Sequence, residues 1–145
     1  MVGTAVIFQI GEKRLALLVQ HVERVLQAVE ITALIERSRH MLGVINVEGK
    51  IVPVGDMRTL LGLKSEDIRL DDFIIIGKMG EQNVAIIANM VEGTIKYNDD
   101  QCVTVKSAND DFCIAGILNI EDDLIMICDL AGCFASEKAF LTKAD

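Results

Sequence analysis

The stretch Gly11-Glu12-Lys13-Arg14-Leu15-Ala16-Leu17-Leu18, followed by His21-Val22-Glu23, returns further along as Gly80-Glu81-Gln82-Asn83-Val84-Ala85-Ile86-Ile87, followed by Met90-Val91-Glu92. A second pair of blocks keeps the same order. Gly43-Val44-Ile45-Asn46-Val47-Glu48 runs on to Asp56, and Gly116-Ile117-Leu118-Asn119-Ile120-Glu121 runs on to Asp129. The first blocks lie 69 residues apart and the second 73, so only a short insertion separates the two registers. Two copies at so long a period indicate a duplicated, two-lobed fold, because solenoid repeats are shorter and more numerous.

Composition narrows the class. A chain of 145 residues is one domain's worth, able to bury roughly two-thirds of the surface its unfolded form exposes. Hydrophobic residues make up 51%, yet there is no Trp and one Tyr, so Val, Ile and Leu must build the core, which favours strands. A net charge of −8 argues against nucleic acid or an anionic membrane surface as partner, since both demand basic patches. No apolar run reaches the ~20 residues of a membrane span, and Met1-Val2-Gly3-Thr4 lacks the charged start of a signal peptide. A cytoplasmic protein without membrane insertion is expected.

Short apolar runs separated by turn residues define the elements. Ala5 to Ile10 and Leu15 to Val19 flank Gly11–Arg14 as a hairpin, and Leu42 to Val47 with Lys50 to Val54 flank Glu48-Gly49 as another. Val19, Val22, Val25 and Val29 have helical spacing, although so Val-rich a run also suits a turn of helix passing into a strand. Pro53, the only proline, has no N–H for a ladder and predicts an edge strand or the pairing-free side of a bulge. Asp56 stands as an N-cap before Met57–Leu61, with Gly62 as C-terminal cap. In the second half, Phe73 to Ile76, Val84 to Ile87, Ile117 to Ile120 and Leu124 to Ile127 repeat the strands, and Asp129 repeats the cap. Ser136 opens a capped terminal helix over about 136–143. The pattern predicts one mainly β domain over 1–145, with lobe one about 5–64 and lobe two about 71–134, each a small barrel. Lys64–Asp67 is too short a seam to let the lobes move freely, so they are expected to pack together.

Catalytic and ligand motifs are missing from the sequence. There is no phosphate-binding glycine loop, no dinucleotide fingerprint and no H-E-x-x-H. His21 and His40 lie far from any nucleophile-like Ser or Cys. The acidic pairs Asp71-Asp72, Asp99-Asp100, Asp110-Asp111 and Asp122-Asp123 do not match the alternating loop that wraps calcium. Cys102, Cys113, Cys128 and Cys133 form no C-x-x-C pair and read as reduced, partly buried thiols. A non-enzyme without metal or cofactor is expected.

Leu42-Gly43-Val44-Ile45-Asn46-Val47-Glu48-Gly49-Lys50-Ile51-Val52-Pro53-Val54-Gly55-Asp56-Met57-Arg58 closely resembles the signature of CheW-like chemotaxis coupling proteins, G-V-x-N-L-R-G-x-x-x-P-x-x-D-L-R. The V-x-x-V pattern at Val22 and Val25 and the second-half echo extend the likeness from Ala5 to about Phe134. The resemblance implies two five-stranded β-barrels side by side with an apolar groove between them. It also implies a non-enzymatic adaptor that couples methyl-accepting chemoreceptors, through their cytoplasmic tip, to the regulatory domain of a CheA-type histidine kinase. A like adaptor in pilus motility or development is the alternative, and a thiol or metal sensor a further one.

Residue by residue, the resemblance implies partner contacts at Val22, Gly43, Asn46, Glu48, Arg58, Val91 and Thr94, with Asp56 and Pro53 structural. Each also has a structural reading: close backbone approach for Gly43, core for Val22 and Val91, a helix cap for Asp56. Three departures from the family pattern stand out. Glu48 replaces an arginine, the segment 35–40 is basic and lacks the usual prolines, and Asn89 stands where the family commonly has Asp. A reversed charge on an interface changes partner choice.

Overall fold

Strand β1 (Val2–Ile10) buries both faces: Ala5 and Ile7 point into one core, Phe8 and Ile10 into another. That explains its unbroken apolar sequence, since a strand covered on both sides has no polar face to alternate with. The computed structural model describes residues 2–33, 40–105 and 113–137. Strand β2 (Lys13–Leu18) returns antiparallel to β1, then a 3-10 turn at Val19–His21 passes into β3 (Val22–Gln27). Of the valines at helical spacing, Val19 therefore sits in a turn, Val22 and Val25 in a strand, and Val29 beyond it. Next come β4 (Met41–Val47), β5 (Lys50–Gly55) and the short helix α1 (Met57–Leu60). The second half supplies β6 (Phe73–Met79), β7 (Gln82–Ala88), β8 (Met90–Asn98), β9 (Cys102–Thr104), β10 (Ile114–Ile120), β11 (Asp123–Cys128) and α2 (Leu130–Cys133). The predicted terminal helix begins as a 3-10 turn, Ala135–Glu137, and 138–143 lie outside the described residues, as do 35–39 and Asp110-Asp111.

The strands form two mixed sheets, ordered β8-β1-β2-β11-β10-β9 and β3-β6-β7-β5-β4. Neither sheet follows the expected lobe limits of 5–64 and 71–134, because each half lends its first hairpin to the other. The β1–β2 hairpin sits between β8 and β11, and the β6–β7 hairpin sits between β3 and β5. The first sheet also has six strands where five were expected; in the other sheet the place of β9 is taken by a single bridge, Thr32 to Val44.

Within this exchange the repeats correspond closely. Both β4–β5 and β10–β11 begin with a bulge, between Met41 and Gly43 and between Ile114 and Gly116. Both turn through residues with positive φ, Glu48-Gly49 and Glu121-Asp122, as a two-residue hairpin matching strand twist requires. The Asp56 N–H binds the His40 carbonyl at 2.7 Å, and the Asp129 N–H binds the Cys113 carbonyl at 2.7 Å. Gly43 is buried under the Thr32 carbonyl, with which a Cβ would collide, and Gly116 lies likewise under that of Val103.

Three cores result. One fills the six-stranded sheet (Ala5, Ile7, Ala16, Leu118, Ile125, Ile127) and one the five-stranded sheet (Ile45, Val52, Val54, Ile74, Ile76, Ala85). The largest lies between them, where Phe8, Leu15 and Leu17 meet Met41, Ile75, Ile86 and Phe134. The lobes thus pack together as expected. Pro53 needs a correction: β5 is internal, between β4 and β7. It pairs with Val44, whose N–H and C=O are spent on Thr32, so the missing N–H faces β7 just before the parallel pairing starts at Val54. The cysteines need another, because Cys113 and Cys133 are joined in a disulfide while Cys102 and Cys128 are free.

Because each sheet needs strands from both halves, fragments 1–70 and 71–145 should each lack cooperative structure when expressed alone. Mixed, they should recover the sheet's circular dichroism and a single thermal transition. A separately folded half would contradict the strand exchange.

Candidate partner-binding surface

Glu48 sits at the tip of the β4–β5 hairpin with its side chain 76% exposed, and Arg24 of β3 donates to it at 3.0 Å. β3 and β4 are opposite edges of the five-stranded sheet. Flat, the sheet would hold them roughly 19 Å apart, four strand spacings, so it must curl until its edges approach. Asn46, one turn of pleat away, accepts the Gly49 N–H at 2.9 Å and shapes the same tip. Opposite Asn46, Ile51 is 65% exposed. Val22 begins the strand that carries Arg24 and, half-buried, packs on the inter-sheet core. Asn46 and Glu48 thus share a hairpin tip with Arg24, while Val22, on the same strand as Arg24, faces the inter-sheet core.

Val91 and Thr94 lie apart, on β8 at the edge of the other sheet. Val91 repeats Val22 by the 69-residue offset and packs on the same inter-sheet core. Thr94 is exposed on the strand's outer face. Between the sheets lies packed core, and the two valines mark its margin. Two of the expected contact residues are turned to structure. Gly43 is buried and offers no side chain. Arg58, its side chain only 19% exposed, donates to the Lys64 carbonyl at 2.8 Å and faces Glu66 at 3.5 Å, pinning the loop after α1.

Asp56 acts as the cap the sequence indicates. It accepts the Arg58 N–H at 3.2 Å and the Ser65 hydroxyl at 2.7 Å while 5% exposed. The helix ends with Gly62 at φ +76, the Gly62 N–H on Thr59 and the Leu63 N–H on Arg58. Beside it, Asn89 shows why Asp would not serve: its Oδ1 accepts the Gly11 N–H at 2.6 Å and its amide donates to buried Asp72 at 3.3 Å. An aspartate there would set a second carboxylate against Asp72.

Arg24 is the residue sequence reading missed. Nothing local marks it; the only signal was Glu48, whose reversed charge invites a cation nearby. On the other sheet Arg14 of β2 grips Glu92 through Nε and Nη2, both at 2.9 Å, and Asp123 at 3.1 Å, tying four neighbouring strands. The hydrogen bond from Arg14 holds the Glu92 carboxyl below its ordinary range, and the one from Arg24 does the same for Glu48.

Three outcomes are expected. The carboxyl of Glu48, followed by NMR titration, should ionise below the ordinary 4.5 and move back toward it in Arg24→Ala, with Lys50 retaining a smaller lowering. Since the folded value is the depressed one, the pair persists above the ordinary Glu range and is lost as pH falls through that lowered value. Asp56→Ala should cost about 1–2 kcal/mol in urea denaturation. Asn89→Asp should cost about 1–3 kcal/mol at pH 7, partly recovered on acidification because a proton between the two carboxyl groups restores the lost donor.

Comparison with known proteins places this chain in a family. The family model for the CheW-like domain matches residues 4–138. The chain is 30% identical over 95 residues to the chemotaxis protein CheW of Thermotoga maritima, covering 65% of this chain and 62% of that protein. It is 24% identical over 135 residues to a probable chemotaxis protein CheW of Rhizobium etli, covering 91% and 87%. The crystal structure of the scaffolding protein TtCheW from Thermoanaerobacter tengcongensis superposes with a TM-score of 0.81 at 28% identity, over 92% of this chain and 93% of that one. With its repeats, its two sheets and a match that omits only the ends, this chain belongs to the CheW-like family.

Proposed function

We propose that this protein is a non-enzymatic adaptor that couples the cytoplasmic tip of a methyl-accepting chemoreceptor to the regulatory domain of a CheA-type histidine kinase. The observation that carries the reading is the family match over residues 4–138 on the frame of a scaffolding protein. The physical features agree with it. A frame tied together by exchanged hairpins is rigid enough to present surfaces at a fixed spacing, which is what a coupler needs. The acidic surface suits protein partners rather than nucleic acid. The protein works in the cytoplasm, at receptor arrays; no helix among the described residues is long and apolar enough to cross a membrane. The proposed contacts are Asn46 and Glu48 beside Arg24, with Val22 at the inter-sheet margin, on one sheet, and Val91 and Thr94 on the other.

The Arg24–Glu48 pair favours a second reading, an adaptor for a different output such as pilus motility or development. A partner that docks over this hairpin meets a carboxylate already held by an arginine, so it must supply Lys, Arg or neutral donors there.

Calorimetric titration with a cognate kinase regulatory domain and a receptor cytoplasmic fragment tests the proposal; binding to neither removes it. Glu48→Arg should leave stability within about 0.5 kcal/mol, or slightly beyond given the new arginine pair, yet weaken the native contact by more than ~1 kcal/mol. The swap Arg24→Glu/Glu48→Arg separates two causes. Restored binding would show that only the intrachain pair matters, whereas continued loss would show that the partner reads the carboxylate itself.

A further inference from the structure

Cys113 and Cys133 are joined in a disulfide at the inter-sheet core, and neither is among the proposed contacts. Cys113 leads into β10, and its carbonyl accepts the N–H of the cap residue Asp129. Cys133 is the last residue of α2. The bond spans 20 residues and closes the unit made of β10, β11 and α2 into a covalent loop.

The other half shows that the fold does not require this bond. The repeat-related positions, 73 residues earlier, are His40 and Leu60. There the same bulge, hairpin, cap and helix form without a covalent bond: the His40 carbonyl accepts the Asp56 N–H, and His40 Nδ1 lies 2.8 Å from Thr59 Oγ1 of the helix. A covalent tie present in one copy and dispensable in the other is free to serve a different purpose.

Its position gives it leverage. The Leu130 side chain lies over Gly77 and the Phe134 ring over Gly55, so closely that a Cβ on either glycine would collide with them. Both glycines belong to the five-stranded sheet, while Cys113 leads into the six-stranded one. The helix tied by the disulfide is therefore the wedge that seats one sheet on the other. Leu130, Cys133 and Phe134 are all buried in the inter-sheet core.

We propose that Cys113 and Cys133 form a thiol–disulfide exchange site for a low-molecular-weight disulfide of the glutathione class, whose redox state sets how firmly α2 holds the two sheets together. In the oxidising direction the Cys113 thiolate attacks one sulfur of the reagent, forming a mixed disulfide and expelling one thiolate. The Cys133 thiolate then attacks Cys113 Sγ, breaks the mixed disulfide and expels the second thiolate. The two cysteine protons go to the expelled thiolates, the cysteines lose two electrons, and the reagent is reduced to two thiols. Two thiols run the sequence backwards.

Cys113 is the sulfur a reagent meets first, because it is half-buried while Cys133 is 4% exposed. Cys133 Sγ lies 3.5 Å from the Cys113 carbonyl, so the reduced thiol has an acceptor ready. The remaining cysteines do not compete. Burial pushes the Cys128 thiol up to about 12, and burial also raises that of Cys102 in the six-stranded sheet's core, which leaves little thiolate on either. Disulfides in reducing compartments are typically transient and redox-sensing, which suits this use.

The test uses the full chain equilibrated with oxidised or reduced glutathione. Thiols are then alkylated and mapped by mass spectrometry, with melting and amide hydrogen exchange measured on the same samples. After oxidation Cys113 and Cys133 should resist alkylation. After reduction both should be labelled, the melting temperature should fall by roughly 10 °C, and amides of residues 130–134 should exchange roughly tenfold faster. Fresh oxidised glutathione should restore all three. Cys113→Ser should resemble the reduced chain in either buffer, and Cys102→Ser should behave as the parent chain. Alkylation of both cysteines after oxidation, a glutathione adduct that persists on Cys113, or unchanged exchange at 130–134 on reduction would each overturn the proposal. Because these readouts involve no partner, they stand or fall separately from the adaptor function.

Discussion

Each hairpin formed by the repeated Gly-Glu block is gripped between two strands of the opposite half, antiparallel on one side and parallel on the other. The rest of the molecule depends on that exchange. It makes the inter-sheet core continuous with both sheet interiors, since β1 and its counterparts are covered on both faces. It also removes any flexible joint between the halves: the chain crosses between sheets where strands are already paired. Asn89 secures the crossing, bridging Gly11 in the turn of one hairpin and Asp72 just before the other.

Charge serves the same end at the surface. Arg14 ties β2 to strands on both sides, and Arg24 ties together the two edges of the curled sheet. Exposed pairs such as these contribute little to stability individually. Their effect is geometric, fixing where a hairpin tip stands relative to the sheet edge, and a docking partner would read that relation.

Much of this was legible in the residues. The duplicated blocks gave the two sheets, and positive-φ hairpins at Glu48-Gly49 and Glu121-Asp122 follow from turns between apolar runs. Asp56 caps as its place before Met57 suggests. What sequence did not show was the exchange itself, because repeat spacing is the same whether a hairpin pairs with its own half or the other. The Val19–Val29 spacing suited either a helix or a turn passing into a strand, and the structure takes the second, as β-branched residues favour. Pro53 pointed to an edge or to the pairing-free side of a bulge; β5 is no edge, and the late start of the β5–β7 pairing provides the unpaired side. The family position of Glu48 was legible and its partner Arg24 was not, since their approach depends on the curl of a whole sheet. The disulfide escaped for a similar reason: Cys113 and Cys133 meet only once β10, β11 and α2 have folded back on themselves.

The exchange has a historical consequence. A single repeat with this pairing would be complete only as a dimer of identical chains, where every substitution appears twice, in both copies of the site. Joining the copies in one chain lifts that constraint. His40 and Cys113 occupy equivalent places and have become chemically unlike, as have Gly49 and Asp122 at the two hairpin tips. The molecule retains the geometry of a symmetric pair while each half is free to acquire its own chemistry.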